Sequence, residues 1–162
     1  MKRNTKIVAA AVAAIALVIL GASVVCSWAV SAGASMNWRL PFRILCHGMP
    51  ERSLDLFGVP MPICARCAGI YLGLLVGLGA FLLYMAAGFS ASQGNEAAPA
   101  FSRIWLLIAV APLAIDGVTQ AMGLRASVNP LRIATGLLAG MAFGLWVLSE
   151  VEHQEAHTFR LS

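Results

Sequence analysis

Three of the four cysteines fall in one stretch, CHGMPERSLDLFGVPMPICARC, residues 46–67. Their spacing, C-H-x16-C-x2-C, suits two chemistries. Zinc takes four ligands from thiolate and imidazole, and a C-x2-C pair commonly supplies two of them. Cys64 and Cys67 provide that pair, and Cys46 and His47 can complete the set. Cys46 and His47 are adjacent, so one of them is expected to point elsewhere, with Glu51 or water completing the shell. The second chemistry is thiol–disulfide exchange. A thiol at a helix start beside an arginine is shifted towards thiolate, and CARC with Arg66 has that form. Cys46 would then be the exchange partner. A third reading gives the cysteines no chemistry beyond stapling a long loop, which needs something to order it, and makes the chain a structural or accessory membrane subunit.

Charged residues elsewhere point to the same place. Asp116 and Gln120 are four residues apart, hence on one helix face, within the apolar run 104–122. A carboxylate at that depth is costly and marks function by default, so Asp116 and Gln120 are candidate catalytic residues. The alternative is that Asp116 pairs with Arg125 or Arg132 to close the bundle. Arg52, Arg66, Arg125 and Arg132, with Asn129, are candidate ligands for a phosphate or carboxylate, which guanidinium grips in bidentate fashion. That ligand would be an anionic small molecule or a lipid head group. Otherwise these arginines pair with Glu51, Asp55 and Asp116.

The elements that must position these residues are apolar. Of 162 residues, 60% are hydrophobic and 11% charged, against about 25% charged in soluble domains. The bases are scattered rather than clustered, which argues against nucleic acid as a partner. Four runs, 7–30, 68–88, 104–122 and 131–149, approach the roughly 20 residues that span a bilayer as a helix. Backbone groups in hydrocarbon must be satisfied internally. The expected fold is therefore an all-α integral membrane protein, a bundle of four transmembrane helices with an ordered Cys/His loop between the first two. The first run follows a basic stretch, and Ala32-Gly33-Ala34 is similar to a signal-peptidase site. Signal-peptide apolar regions run only about 7 to 15 residues, so retention is expected. Cys26, within this run, is read as a packing residue.

Four alternating helices put the loop before CARC and the turn at 123–130 on one membrane side. The connector at 89–102, with Gly94, Asn95, Glu96 and Pro99, is an ordinary loop on the other side. Asn129-Pro130 is a good helix start, and Pro112 is placed to kink the third helix. Gly69, Gly73 and Gly77, and likewise Gly136, Gly140 and Gly144, recur every fourth residue, a close-packing signature that would bring CARC near Arg132 and Thr135. His153 and His157 stand at helical spacing in the tail, which reads as a solvated acidic end. Arg39, Arg43, Arg52, Arg66, Arg125 and Arg132 lie on the loop side, and Lys2, Arg3, Lys6, Arg103 and Arg160 on the other. That balance does not decide orientation; the basic amino-terminal stretch favours a cytoplasmic N-terminus, with the site outside.

The motifs LCHGMPERS, PICARCAGIYLG and DGVTQAMGLRASVNPLRIATG together resemble the domain of unknown function 2085 family of predicted membrane proteins. The resemblance covers roughly residues 44–148 and implies a multi-helix membrane protein, with no activity attached. It divides the chain into 1–43, the first helix and the start of the loop; 44–149, the family membrane domain; and 150–162, a polar tail. The expected location is the cell membrane, as a multi-pass protein. CARC at a helix start of a four-helix chain is also similar to membrane disulfide-generating enzymes, which would imply a quinone. Those enzymes use two cysteine pairs, whereas only three cysteines lie here.

Overall fold

Each of the four apolar runs forms a helix in the computed structural model, which describes residues 3–87, 103–124, 126 and 128–161. These are α1 (Arg3–Ser31), α2 (Ala65–Ala86), α3 (Arg103–Ala121) and α4 (Asn129–Leu161). All four are long and apolar enough to cross a membrane, and the chain is an all-α integral membrane protein. The connector at 89–102 lies outside the described residues, as do Arg125 and Ser127.

Helix ends follow local chemistry. The Sγ of Cys64 caps α2 by accepting the Cys67 N–H at 3.4 Å, so α2 starts three residues before its apolar run. α4 continues past Ser149 to Leu161, and the stretch read as a tail is helical. It contains no Gly or Pro to stop it and is rich in good helix formers. α3 runs through Pro112.

α2 and α4 form the centre of the bundle through their glycines. A Cβ on Gly69 would lie 2.5 Å from the Ile133 carbonyl oxygen, and one on Gly73 would overlap Leu137. In return, a Cβ on Gly140 would run into the Ile70 carbonyl. Only hydrogen fits at these crossings, so the two backbones touch directly. Gly140→Leu is expected to destabilise the bundle by at least about 1–3 kcal/mol, the usual range for overpacking. Gly79→Leu is the matched control, because a Cβ there meets nothing within 4 Å. Thermal unfolding in detergent should separate the two variants.

α1 packs beside this pair with a small-residue face: Thr5, Ala9, Ala16, Ser23, Cys26 and Ser27 are buried. The hydroxyls of Ser23 and Ser27 donate to the carbonyls of Ile19 and Ser23, which satisfies them inside the apolar layer. α3 packs mainly on α4 and leaves Trp105, Leu107, Ile115 and Val118 exposed, as a lipid-facing helix should. Its one buried residue is Asp116.

The loop between α1 and α2 is ordered and has structure of its own. A 3₁₀ segment, Met36–Ile44, leads to a short turn, Pro50–Arg52, and then to an antiparallel hairpin. The hairpin strands are β1 (Ser53–Leu56) and β2 (Val59–Cys64). Phe57 and Gly58 join them with φ of 57° and 77°, both positive, as a two-residue type I′ turn requires. Phe42, Cys46, Met61 and Ile63 from this loop pack with Cys26 of α1 and Ala68 of α2. The loop is therefore a folded cap on one end of the bundle.

Candidate functional site

β2 runs directly into α2, so Cys64 ends the hairpin and Cys67 sits one turn inside the helix. Cys46 arrives from the other side of the loop. Its N–H donates to the Phe42 carbonyl at 2.9 Å, and burial of Phe42 anchors that turn. Gly48 then reverses the chain at φ 59°, where a Cβ would come within 2.8 Å of the Pro62 carbonyl oxygen. The three sulfurs lie within 4.8 Å of one another, and all three cysteines are free thiols. Cys46 is buried, while Cys64 and Cys67 are half-buried.

The Cys46 sulfur is a hydrogen-bond acceptor. The Cys64 N–H donates to it at 3.2 Å. The thiols of Cys64 and Cys67, together with the Gly48 and Cys64 amides, hold the Cys46 thiol well below its usual range, although burial opposes this. Hydrogen bonds to the charged form favour it. The cluster thus stabilises a thiolate, the form that binds metal. Tetrahedral coordination with Zn–S of ~2.3 Å would separate the sulfurs by about 3.8 Å, a small closure from their present positions. The cluster could hold a metal ion.

His47 does not join the cluster. It is exposed and lines a cavity with Arg39 and Arg43. Of the adjacent pair Cys46–His47, the cysteine turns inward and the histidine outward. Glu51 is exposed and contributes its main-chain carbonyl, which accepts from Arg132 at 3.4 Å. Were an ion held there, three protein sulfurs would leave one tetrahedral position for water or a ligand.

Arg66, between the two cysteines of CARC, reaches from α2 to α3. Its guanidinium forms an ion pair with Asp116 and lies 3.5 Å from Gln120 Oε1. Asp116 is only 2% exposed. The structure therefore brings Asp116, Gln120 and Arg66 together and pairs the carboxylate with α2. Asp116 is joined to the thiols by a single intervening side chain, since Arg66 follows Cys64 by two residues and precedes Cys67. The Arg66 carbonyl also abuts Gly136 of α4, which brings CARC alongside Thr135, itself buried.

The start of α4 closes the site. Asn129 Nδ2 donates to the Ser53 carbonyl at 3.0 Å, and Asn129 Oδ1 accepts from Arg132 at 2.7 Å. The loop and the start of α4 thus meet through hydrogen bonds from side chains to main-chain carbonyls 76 and 81 positions away. Arg52, Arg66 and Asp116 all lie close enough for their charges to act on Arg132. Among the described residues, neither Arg52 nor Arg132 has a carboxylate partner. The Nε atoms of Arg66 and Arg132 are both buried without an acceptor. Arg125, the fourth arginine of the expected set, lies outside the described residues.

Sequence reasoning did not anticipate the main-chain carbonyls of Glu51 and Ser53 as anchors for α4. It also missed the hydrogen bond from Arg39 to the Met61 carbonyl at 2.9 Å. Carbonyl acceptors carry no residue-type signal. The LFG turn between short apolar stretches was the available sign of the hairpin that presents them.

A four-helix membrane protein with a cysteine cluster capped by an ordered hairpin defines the class. The chain belongs to the domain of unknown function 2085 family, described as predicted membrane proteins, whose model matches residues 46–146. It is 41% identical over 107 residues to an uncharacterized protein of Methanocaldococcus jannaschii, covering 66% of this chain and 64% of that one. It is 42% identical over 110 residues to an uncharacterized protein of Methanothermobacter thermautotrophicus, covering 68% of this chain and 88% of that one. The chain thus spans somewhat less than two thirds of the first relative's length. No solved structure matches it.

Proposed function

We propose that this is a multi-pass protein of the cell membrane whose capped face carries a zinc-like ion on Cys46, Cys64 and Cys67, beside an arginine site that receives an anionic ligand. The ligand is a small anion or a lipid-linked one, and the protein acts on it or transports it. The observation that carries this reading is the convergence of three free thiols from two separate loop segments to within 4.8 Å. Structural stapling alone would not need unpaired guanidinium groups next to them. Arg52, Arg132 and Asn129 would hold the anion, with Arg66 poised between it and Asp116. The open metal position would polarise the bound group or supply an activated water. Asp116 and Gln120 would orient Arg66.

One observation favours a second reading. The same closeness of the sulfurs allows a disulfide, and Cys64 stands at the start of α2 with its sulfur accepting the Cys67 N–H. In that reading the protein exchanges disulfides and passes electrons to a quinone. Metal content and free thiols, measured on one sample purified in detergent without chelator or reductant, separate the two. The metal reading expects about one ion per chain, given a single tetrahedral site, with thiols that react only after chelation. A metal-free sample with a disulfide among Cys46, Cys64 and Cys67 would replace it with the exchange reading.

A further inference from the structure

Outside the thiol and arginine site, the cap holds a second basic feature. A cavity of about 340 Å³ is lined by residues that include Asn37, Arg39, Arg43, His47 and Pro62, and by no Asp or Glu. Arg39 is held in place by its bond to the Met61 carbonyl. Arg43 and His47 are exposed. Arg39, Arg43 and His47 thus line one concavity that has no carboxylate among its described lining residues.

The surroundings of this cavity are apolar and uncovered. Trp38 is 57% exposed and Ile44 is 90% exposed, with Leu45 and Met49 also exposed beside them. The 3₁₀ segment that carries Trp38 and Ile44 is joined to the end of α1 by residues 32–35. That connection reaches about 18 Å at most, so the segment stays near the membrane surface where α1 emerges. Tryptophan favours that depth, and an amphipathic segment lying there buries its apolar side chains at the acyl boundary. Phosphate oxygens are the anions that lie beside such side chains in a bilayer, and arginine grips them in bidentate fashion.

We propose that this cleft is a binding site for the phosphate of an anionic phospholipid head group, with Arg39, Arg43 and His47 as its ligands and Trp38 and Ile44 entering the acyl boundary. The site seats the cap on the membrane and fixes the height of the cysteine cluster above it. It shares no ligand with the metal site and stands independently of that reading.

The test uses the full chain, delipidated in neutral detergent and titrated with phosphatidylglycerol, phosphatidylcholine or inorganic phosphate, with bound lipid counted by native mass spectrometry. Phosphatidylglycerol should bind about tenfold more tightly than phosphatidylcholine, a difference of ~1.4 kcal/mol. Millimolar inorganic phosphate should leave that preference in place. Arg43→Gln should remove most of the preference, while Arg103→Gln, an exposed base at the opposite end of the bundle, should not. Arg43 makes no hydrogen bond among the described residues, so its replacement should fold. The lipid preference of the unaltered chain tests the claim without any variant. Equal binding of the two lipids, full preference in Arg43→Gln, or equal loss in Arg103→Gln would overturn the site. Displacement of the lipid by inorganic phosphate would overturn the lipid assignment in favour of a free-anion site.

Discussion

Asp116→Ala is expected to destabilise the bundle by about 3–5 kcal/mol, the cost of removing one partner of a buried ion pair and leaving the other uncompensated. Asp116 is 2% exposed, and Arg66 is 22% exposed at the site. α3 packs mainly on α4, so the Arg66–Asp116 pair is a tie between α3 and α2. Asp116→Asn should cost less, because the amide oxygen still accepts from Arg66. A double variant, Asp116→Ala with Arg66→Met, should recover part of the loss, since no charge is then stranded. Denaturation midpoints of the unaltered chain, Asp116→Ala, Arg66→Met and the double variant in one detergent give the coupling directly. Purely additive losses would show that the pair is incidental. Metal content should stay unchanged in Asp116→Ala, which distinguishes a defect of the bundle from a defect of the thiol cluster. If Asp116→Asn assembles normally and changes no property of the protein in cells, the residue serves packing alone and the chain behaves as an accessory subunit.

The second large effect belongs to the thiols. Cys46→Ser should lower bound metal from about one ion per chain to less than about one tenth, because a hydroxyl does not replace a thiolate ligand at neutral pH. Cys64→Ser and Cys67→Ser should do the same. Cys26→Ser is the control: Cys26 is 4% exposed and packs in the same core cluster as Cys46, but it does not belong to the group of converging sulfurs. It should cost some stability and leave metal content alone. Acid should also release the ion, since protons compete for the thiolates. The hydrogen bonds from the Cys64 and Cys67 thiols and from the Gly48 and Cys64 amides favour the Cys46 thiolate. A Cys46→Ser protein that keeps its full metal content would place the ion elsewhere.

Much of this arrangement was legible in the residues, for physical reasons that differ from case to case. The spans could be read because hydrocarbon allows a chain few options. The glycine rows at 69–77 and 136–144 could be read because only hydrogen fits where two helix backbones touch, and that need repeats with the helical period. The alternation of four helices placed the loop and the α3–α4 turn on one side, which the Asn129–Ser53 bond reflects at the level of atoms. Spacing alone did not say whether Cys46 or His47 faces inward, because adjacent residues differ by a single backbone rotation. Packing of Phe42 and Met61 against Cys26 decides it. The hairpin was hidden by Pro60 and Pro62, which argue against a strand, yet a two-stranded ribbon has free edges where they fit. The partner of Asp116 was sought on Arg125 or Arg132, near the same helix end. Arg66 supplies one from α2, because the guanidinium is long enough to cross, while Arg125 lies outside the described residues. The helical extension to Leu161 follows from the absence of any breaker after Ser149, a signal that polarity obscured.

The central claim is that three thiolates hold one ion. X-ray absorption at the zinc edge, on full-length protein purified in detergent without added chelator, tests it most directly. The account predicts about three sulfur scatterers at ~2.3 Å and one lighter atom near 2.0–2.1 Å. A shell of nitrogen and oxygen with no sulfur, or a sample with no metal and an oxidised Cys64–Cys67 pair, would contradict it.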